Sequence, residues 1–261
     1  MSEILPLFKS HYSLGKSILT LEKPRDVKSG LTCPDSIFEI LDENGMDKFV
    51  LVDDNPSGYL QANVNAKKFK KKLFFGIRLT YVEDASIKEE GVSEKESKIV
   101  IFLKNYDGYK HLIKIWSDAA QQGFYYYPRV DDKILESVKT DDLALMVPFY
   151  DSFIYRNNFE CRLCTPNFAK YFKTISFALE DNELPFDETL RSLVKKAAEN
   201  FSVPTTETKS IYYKNREDFL AYLTFRCIDK RATLSKPNLE HMCSEEFCFE
   251  SWKEKNHGIR F

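Results

Sequence analysis

The stretch Lys48–Tyr59, KFVLVDDNPSGY, is an apolar run that stops abruptly at two carboxylates, Asp53 and Asp54, followed by turn residues. It reads as a buried strand feeding a loop. In α/β folds the groups that do chemistry sit in the loops just past the carboxyl ends of the strands, because the strands fix them and the loops expose them. The acidic pair is therefore the first candidate for a functional site.

Upstream, Pro34, Asp35 and Ser36 carry helix-start chemistry, Ile37, Phe38, Ile40 and Leu41 make an apolar face, and Asn44-Gly45 closes the helix. Before that, Ile4 to Phe8 predicts a first strand, ending in the loop of LFKSHYSLGKS. Downstream, a helix is predicted from Gly58 to about Lys70, ending in the cluster AKKFKKK, and LFFGIRLTYV (Leu73 to Val82) reads as the next strand. The lysines suit either a nucleic-acid patch or a helix C-terminus whose dipole they offset. Glu83 to Lys98, rich in charge, reads as an exposed loop. Strands at Ile99 to Leu103, Leu143 to Val147 and Thr174 to Leu179 alternate with helical patterns. The helical patterns are Tyr109 to Trp116, with Tyr109, Leu112, Ile113 and Trp116 on one face, then Glu188 to Glu199 and Glu217 to Cys227. This alternation predicts a largely parallel sheet or barrel with helices outside. With no repeat and no linker visible, one domain over residues 1–261 is expected.

The 261 residues are 43% hydrophobic and 14% aromatic, enough for a full core, so disorder is excluded as the class. A net charge of −2 provides no global attraction to nucleic acid or an anionic membrane, and no apolar run approaches membrane-spanning length. The start, MSEILPLFKSHYS, lacks a secretory pattern, so a soluble cytoplasmic protein is expected, its six cysteines as reduced thiols.

Several stretches together resemble one family, the PHP (polymerase and histidinol phosphatase) domain at the N-terminus of bacterial DNA polymerase III alpha subunits. GFYYYPRVDDKIL (Gly123 to Leu135) is similar to that family's most specific signature, and NYDGYKHLIKI lies just upstream of it as it does there. HYSLGKS, the Asp53 loop, FFGIRLTYV, LEDNELP, NREDFLAYL and SEEFCFESW follow in family order. The resemblance covers nearly the whole chain and implies a distorted (β/α)7 barrel. It also implies that polymerase activity would need palm, fingers and thumb regions that do not follow here.

Active PHP domains hold a cluster of divalent metals that activates water for phosphoester hydrolysis, through histidines and carboxylates. On the resemblance, the first-strand His-x-His pair falls on Leu7 and Lys9, and the next aspartate and histidine on Asp53 and Asp54. A glutamate falls on Arg78, and a late Asp-x-His pair on Ser210 and Tyr212. Only Asp53 survives as a ligand. Lys9 and Arg78 bring fixed cations where a metal would sit and are expected to pair with Asp53 or Asp54. No catalytic residue, metal or cofactor is therefore expected.

Weaker candidates are a structural zinc on Cys161 and Cys164 or on His241, Cys243 and Cys248, and nucleophilic catalysis by His11 with Ser10 or Ser13. The run Phe124 to Tyr127 suits packing or base stacking. Two readings result. The first is a stand-alone, inactive PHP domain, a structural or protein-interaction module linked to replication and fitting a bacterial virus. Its partner would be a polymerase body or proofreading exonuclease, with little or no nucleic-acid binding and no membrane. The second is a divergent metal-dependent phosphoesterase or 3′–5′ exonuclease.

Overall fold

The structure, a computed structural model, describes residues 4–22, 34–89, 95–234 and 244–256. The strands are β1 (Leu5–Phe8), β2 (Lys48–Asp53), β3 (Lys72–Val82), β4 (Glu96–Leu103), β5 (Arg129–Val130), β6 (Leu143–Val147), β7 (Ile175–Leu179) and β8 (Thr205–Ile211). They hydrogen-bond in the order β2-β1-β8-β7-β6-β4-β3, and β2 also pairs with β3, so seven strands close into a barrel in a mixed α/β fold, as expected. The sheet is less parallel than the alternation suggests, because β4 runs antiparallel to both β3 and β6.

The chain forms two compact units. The first takes the described parts of Met1–Phe75, Glu180–Asp187 and Glu207–Phe261. In it β1 lies between β2 and β8, parallel to both, with Leu7 opposite Val50 on one side and Ser210 on the other. Parallel pairing brings three carboxyl ends together: Asp53 on β2, Lys9 just past β1 and Tyr212 just past β8. Helices α1 (Ile37–Glu43) and α2 (Tyr59–Lys68) lie in this unit, as do α7 (Phe219–Lys230) and α8 (Phe249–Lys255). Phe8, Phe38, Phe49, Leu51, Tyr213, Phe247 and Trp252 are among its buried residues.

The second unit, Gly76–Leu179 and Glu188–Thr206, holds α3 (Tyr106–Gln121), α4 (Asp132–Glu136), α5 (Phe153–Phe159) and most of α6 (Asp187–Phe201). The buried face of α3 is Gly108, Leu112, Ile115 and Ala119, not the expected Tyr109, Leu112, Ile113 and Trp116. The helix starts earlier than predicted, capped by Asn105, whose side chain accepts the Gly108 N–H at 2.9 Å. Gly108 faces Asp142 so closely that a Cβ there would lie 2.3 Å from its carbonyl oxygen. The expected loop to Lys98 is also too long, since β4 begins at Glu96. That carboxylate is buried because Arg156 pairs with it at 2.7 Å and the Tyr127 hydroxyl donates to it at 2.6 Å.

Helix α2 ends in a Schellman arrangement, with the Lys71 N–H donating to the Ala66 carbonyl and the Lys70 N–H to that of Lys67. Lys70 takes the left-handed conformation this requires (φ 55°), where glycine is the usual residue. Left-handed strain of about 1–2 kcal/mol for a residue with a Cβ outweighs the extra backbone entropy of glycine. Lys70→Gly is therefore expected to raise stability by about 0.5–1 kcal/mol, read as a higher urea midpoint with an unchanged denaturant slope.

Candidate functional site

The carboxyl ends of β2, β1 and β8 carry a set of charged and hydroxyl side chains, all within the first unit. Asp53 closes β2 and is fully buried. It accepts hydrogen bonds from the Ser10 N–H (2.9 Å), the Ser10 hydroxyl (2.8 Å) and the Ser13 hydroxyl (3.0 Å). The Ser13 oxygen also accepts the Asp54 N–H at 2.9 Å, so one serine spans both acidic residues. Gly58, at the start of α2, allows this close packing, since a Cβ there would fall 3.0 Å from Asp53 Oδ2 and 2.9 Å from the Tyr12 ring. Burial among neutral donors raises the Asp53 pKa above the ordinary carboxylate value, and its serine hydrogen bonds and the nearby Lys9 charge only partly oppose this.

Asp54 holds the cations. Lys9 Nζ lies 2.9 Å from its Oδ1 and Lys16 Nζ 3.0 Å from its Oδ2. The expected pairing of Lys9 with the acidic pair is thus present, but on Asp54, while Asp53 is satisfied by hydroxyls and a backbone N–H. Arg78 lies in the second unit, where its guanidinium pairs with Asp151 at 2.5 Å.

Ser210 donates its hydroxyl to Glu180 Oε1 at 2.7 Å and its N–H to Oε2 at 3.1 Å, and Asn182 donates to Oε2 at 2.9 Å. Burial raises the Glu180 pKa, as it does for Asp53. Tyr212 is buried and stacks on Tyr222, with centroids 5.5 Å apart. Its carbonyl accepts the Ser17 hydroxyl at 3.0 Å, and the same hydroxyl contacts the Lys9 carbonyl, tying the ends of β8 and β1. Lys209, on the other face of β8, is almost wholly buried, donates to the Asp181 carbonyl at 3.1 Å and lies 3.7 Å from Glu246. Desolvation pushes its pKa down to about 8.

The sequence places Lys9, Asp53, Asp54, Arg78, Ser210 and Tyr212 in one pocket; five of these lie in this unit, whereas Arg78 belongs to the second and pairs with Asp151, and Lys16, Glu180 and the bonds from Ser10 and Ser13 to Asp53 are not foreseen. The only signal for Glu180 was its place in LEDNELP, one residue past an apolar strand. The serine hydroxyls serve Asp53, and the His11 ring packs on Tyr12 at 4.3 Å, so a Ser-His nucleophile is not assembled. Cys164 is buried, its thiol pushed up to about 12 by desolvation, whereas Cys161 is exposed. His241 and Cys243 lie outside the described residues. Among the described residues no group of three or more His, Cys, Asp or Glu side chains is placed to hold a metal ion. In the aromatic run, Tyr127 is tied to Glu96 and Tyr125 lies against Arg129, whereas Phe124 and Tyr126 are exposed.

Residues 27–153 match the model of the PHP domain. The chain is 26% identical over 210 residues to the DNA polymerase III subunit alpha of Borreliella burgdorferi, covering 77% of this chain and 18% of that protein. It is 24% identical over 171 residues to that of Treponema pallidum, covering 62% and 14%. The chain spans less than a fifth of the length of these relatives. Among solved structures, PsfC from Pseudomonas syringae PB-5123 aligns with a TM-score of 0.36 at 9% identity, covering 78% of this chain and 75% of PsfC.

A metal cluster of the kind active PHP domains carry needs neutral imidazoles and ionised carboxylates with lone pairs to give. The residues present do not fit one. Asp53 is buried and engaged by three donors, and Asp54 is clamped by two ammonium groups.

Two outcomes are expected. Asp54 keeps Lys16 when Lys9 is lost, so Lys9→Ala should cost about 1–2 kcal/mol, below the roughly 3–5 kcal/mol of stranding a fully buried charge. Lys9→Met, which keeps the packed stem, should recover part of this in urea unfolding. A raised native pKa on Asp53 means that stability falls as pH rises from the ordinary value of 3.8 toward the native one, because the native state holds a proton the unfolded chain has released. Asp53→Asn should flatten that decline, read as urea midpoints across the acid range.

Proposed function

We propose that this chain, whose residues 27–153 are a PHP domain homologous to the N-terminal PHP region of DNA polymerase III alpha subunits, is a replication-linked module that has exchanged metal-dependent hydrolysis for a structural or protein-interaction role. The observation that carries this reading is the Lys9 ammonium 2.9 Å from Asp54, beside an Asp53 already engaged by Ser10 and Ser13. Phosphoester hydrolysis on this fold relies on metal ions to lower the pKa of water and hold the leaving oxygen. A lysine charge in their place neutralises carboxylates but offers no coordination sphere for water. What remains is a rigid, internally satisfied strand-end cluster, suited to presenting a surface. The partner proposed is a polymerase body or a proofreading exonuclease.

Thermal unfolding with manganese tests this reading. A site that bound the ion with ligand at about a hundred times Kd would gain about 2.7 kcal/mol, raising Tm by about 5 °C or more for a chain of this size. No shift is expected, together with no hydrolysis of p-nitrophenyl phosphate. A clear shift that disappears in Asp53→Asn would contradict the proposal and favour the phosphoesterase reading.

A further inference from the structure

We propose that the lysine-rich end of α2 and the first residues of β3 form a binding surface for the phosphate backbone of single-stranded nucleic acid. The surface is separate from the cluster at the strand ends and goes beyond the function proposed above. No Asp or Glu occurs between Asp54 and Glu83, while Lys67, Lys68, Lys70, Lys71 and Lys72 fall within six positions. In a chain of net charge −2 this is a strong local departure. Lys67, Lys68, Lys70 and Lys72 are all exposed. Among the described residues, Asp42 and Asp47 border the patch, and Lys71 lies 3.1 Å from the first and 3.9 Å from the second.

The helix dipole explains only part of the cluster. Its effect falls off within the last turn, which holds Lys67 and Lys68. Lys70 and Lys72 lie beyond that turn, and crowding like charges works against stability. Lys70 moreover occupies the left-handed position that favours glycine (φ 55°). Local stability therefore does not account for a lysine at position 70, whereas a ligand for its charge does. Polyanion backbones bind such groups by releasing condensed counterions.

Phe74 narrows the partner to a single strand. It is 38% exposed, and Lys72 Nζ sits 5.0 Å from its ring centroid. A partly exposed aromatic ring within a cationic track is how proteins hold unpaired bases without reading their sequence. A duplex hides those faces, and an acidic peptide has none to stack.

Fluorescence anisotropy of the full chain with a labelled oligothymidylate tests this. Binding is expected, weakening between about 50 and 200 mM salt, with each phosphate contact contributing about 0.7 to the slope of log K against log salt. The triple variant Lys67→Gln, Lys68→Gln, Lys70→Gly should lower that slope by about 2. Phe74→Ala should weaken binding about five-fold or more with the slope unchanged. Circular dichroism melts confirm folding, and Lys70→Gly alone provides a variant whose stability is expected not to fall. No binding at the lowest salt, or an unchanged slope in the triple variant, would overturn the proposal. Unaltered affinity in Phe74→Ala would refute the single-strand assignment, and equal competition by polyglutamate would reassign the patch to an acidic protein.

Discussion

The burial of the Asp53 carboxyl group at the end of β2 sets the geometry of everything around it. A carboxyl removed from water must find donors or take up a proton, and Asp53 recruits its donors from the loop after β1. Two serines bring that loop across the strand ends, and Ser13 passes the connection on to the Asp54 backbone. Asn55 extends it, donating to the Tyr12 carbonyl at 2.9 Å, and Gly58 leaves room for α2 to start against the carboxyl group. The loop from Lys9 to Ser17 is therefore held by the residue it covers.

Charge is then divided between neighbours according to access to water. Buried Asp53 and Glu180 are each met by neutral donors, serine hydroxyls and backbone or amide N–H groups, and both have raised pKa values. The more exposed Asp54 takes two lysines. A barrel mouth that runs metal chemistry needs the opposite arrangement, with ionised carboxylates facing open coordination positions. The β8–α8 junction is built the other way, since the buried Glu246 is surrounded by Lys209, Arg216 and Lys255, and Arg216 also reaches Glu254 at 2.7 Å. There the charges serve to dock a helix.

Much of this was legible in the sequence because apolar runs and turn residues are local signals. β1, β2, β3, β6 and β7 lie where the runs predict them, and Asn44-Gly45 ends α1 as turn chemistry requires. The misses have physical causes. β8, TTETKSI, carries so many polar groups that it does not read as a strand, yet Thr208 and Lys209 are buried by tertiary partners. The start of β4 looked like loop because Glu96 finds its counter-charge sixty residues away in Arg156. α4, with five residues, is too short for a helical period to show. In the site, Asp53 was visible as the end of an apolar run, whereas the roles of Ser10, Ser13 and Glu180 depend on strand neighbours that only the fold brings together.

Metal content is the most direct test of the central claim, that internal partners rather than metal ions satisfy the carboxylates at the strand ends. Protein purified from cultures supplemented with manganese and zinc, then desalted and examined by elemental analysis, is predicted to carry no stoichiometric metal. One or more equivalents per chain, lost in Asp53→Asn, would contradict the account.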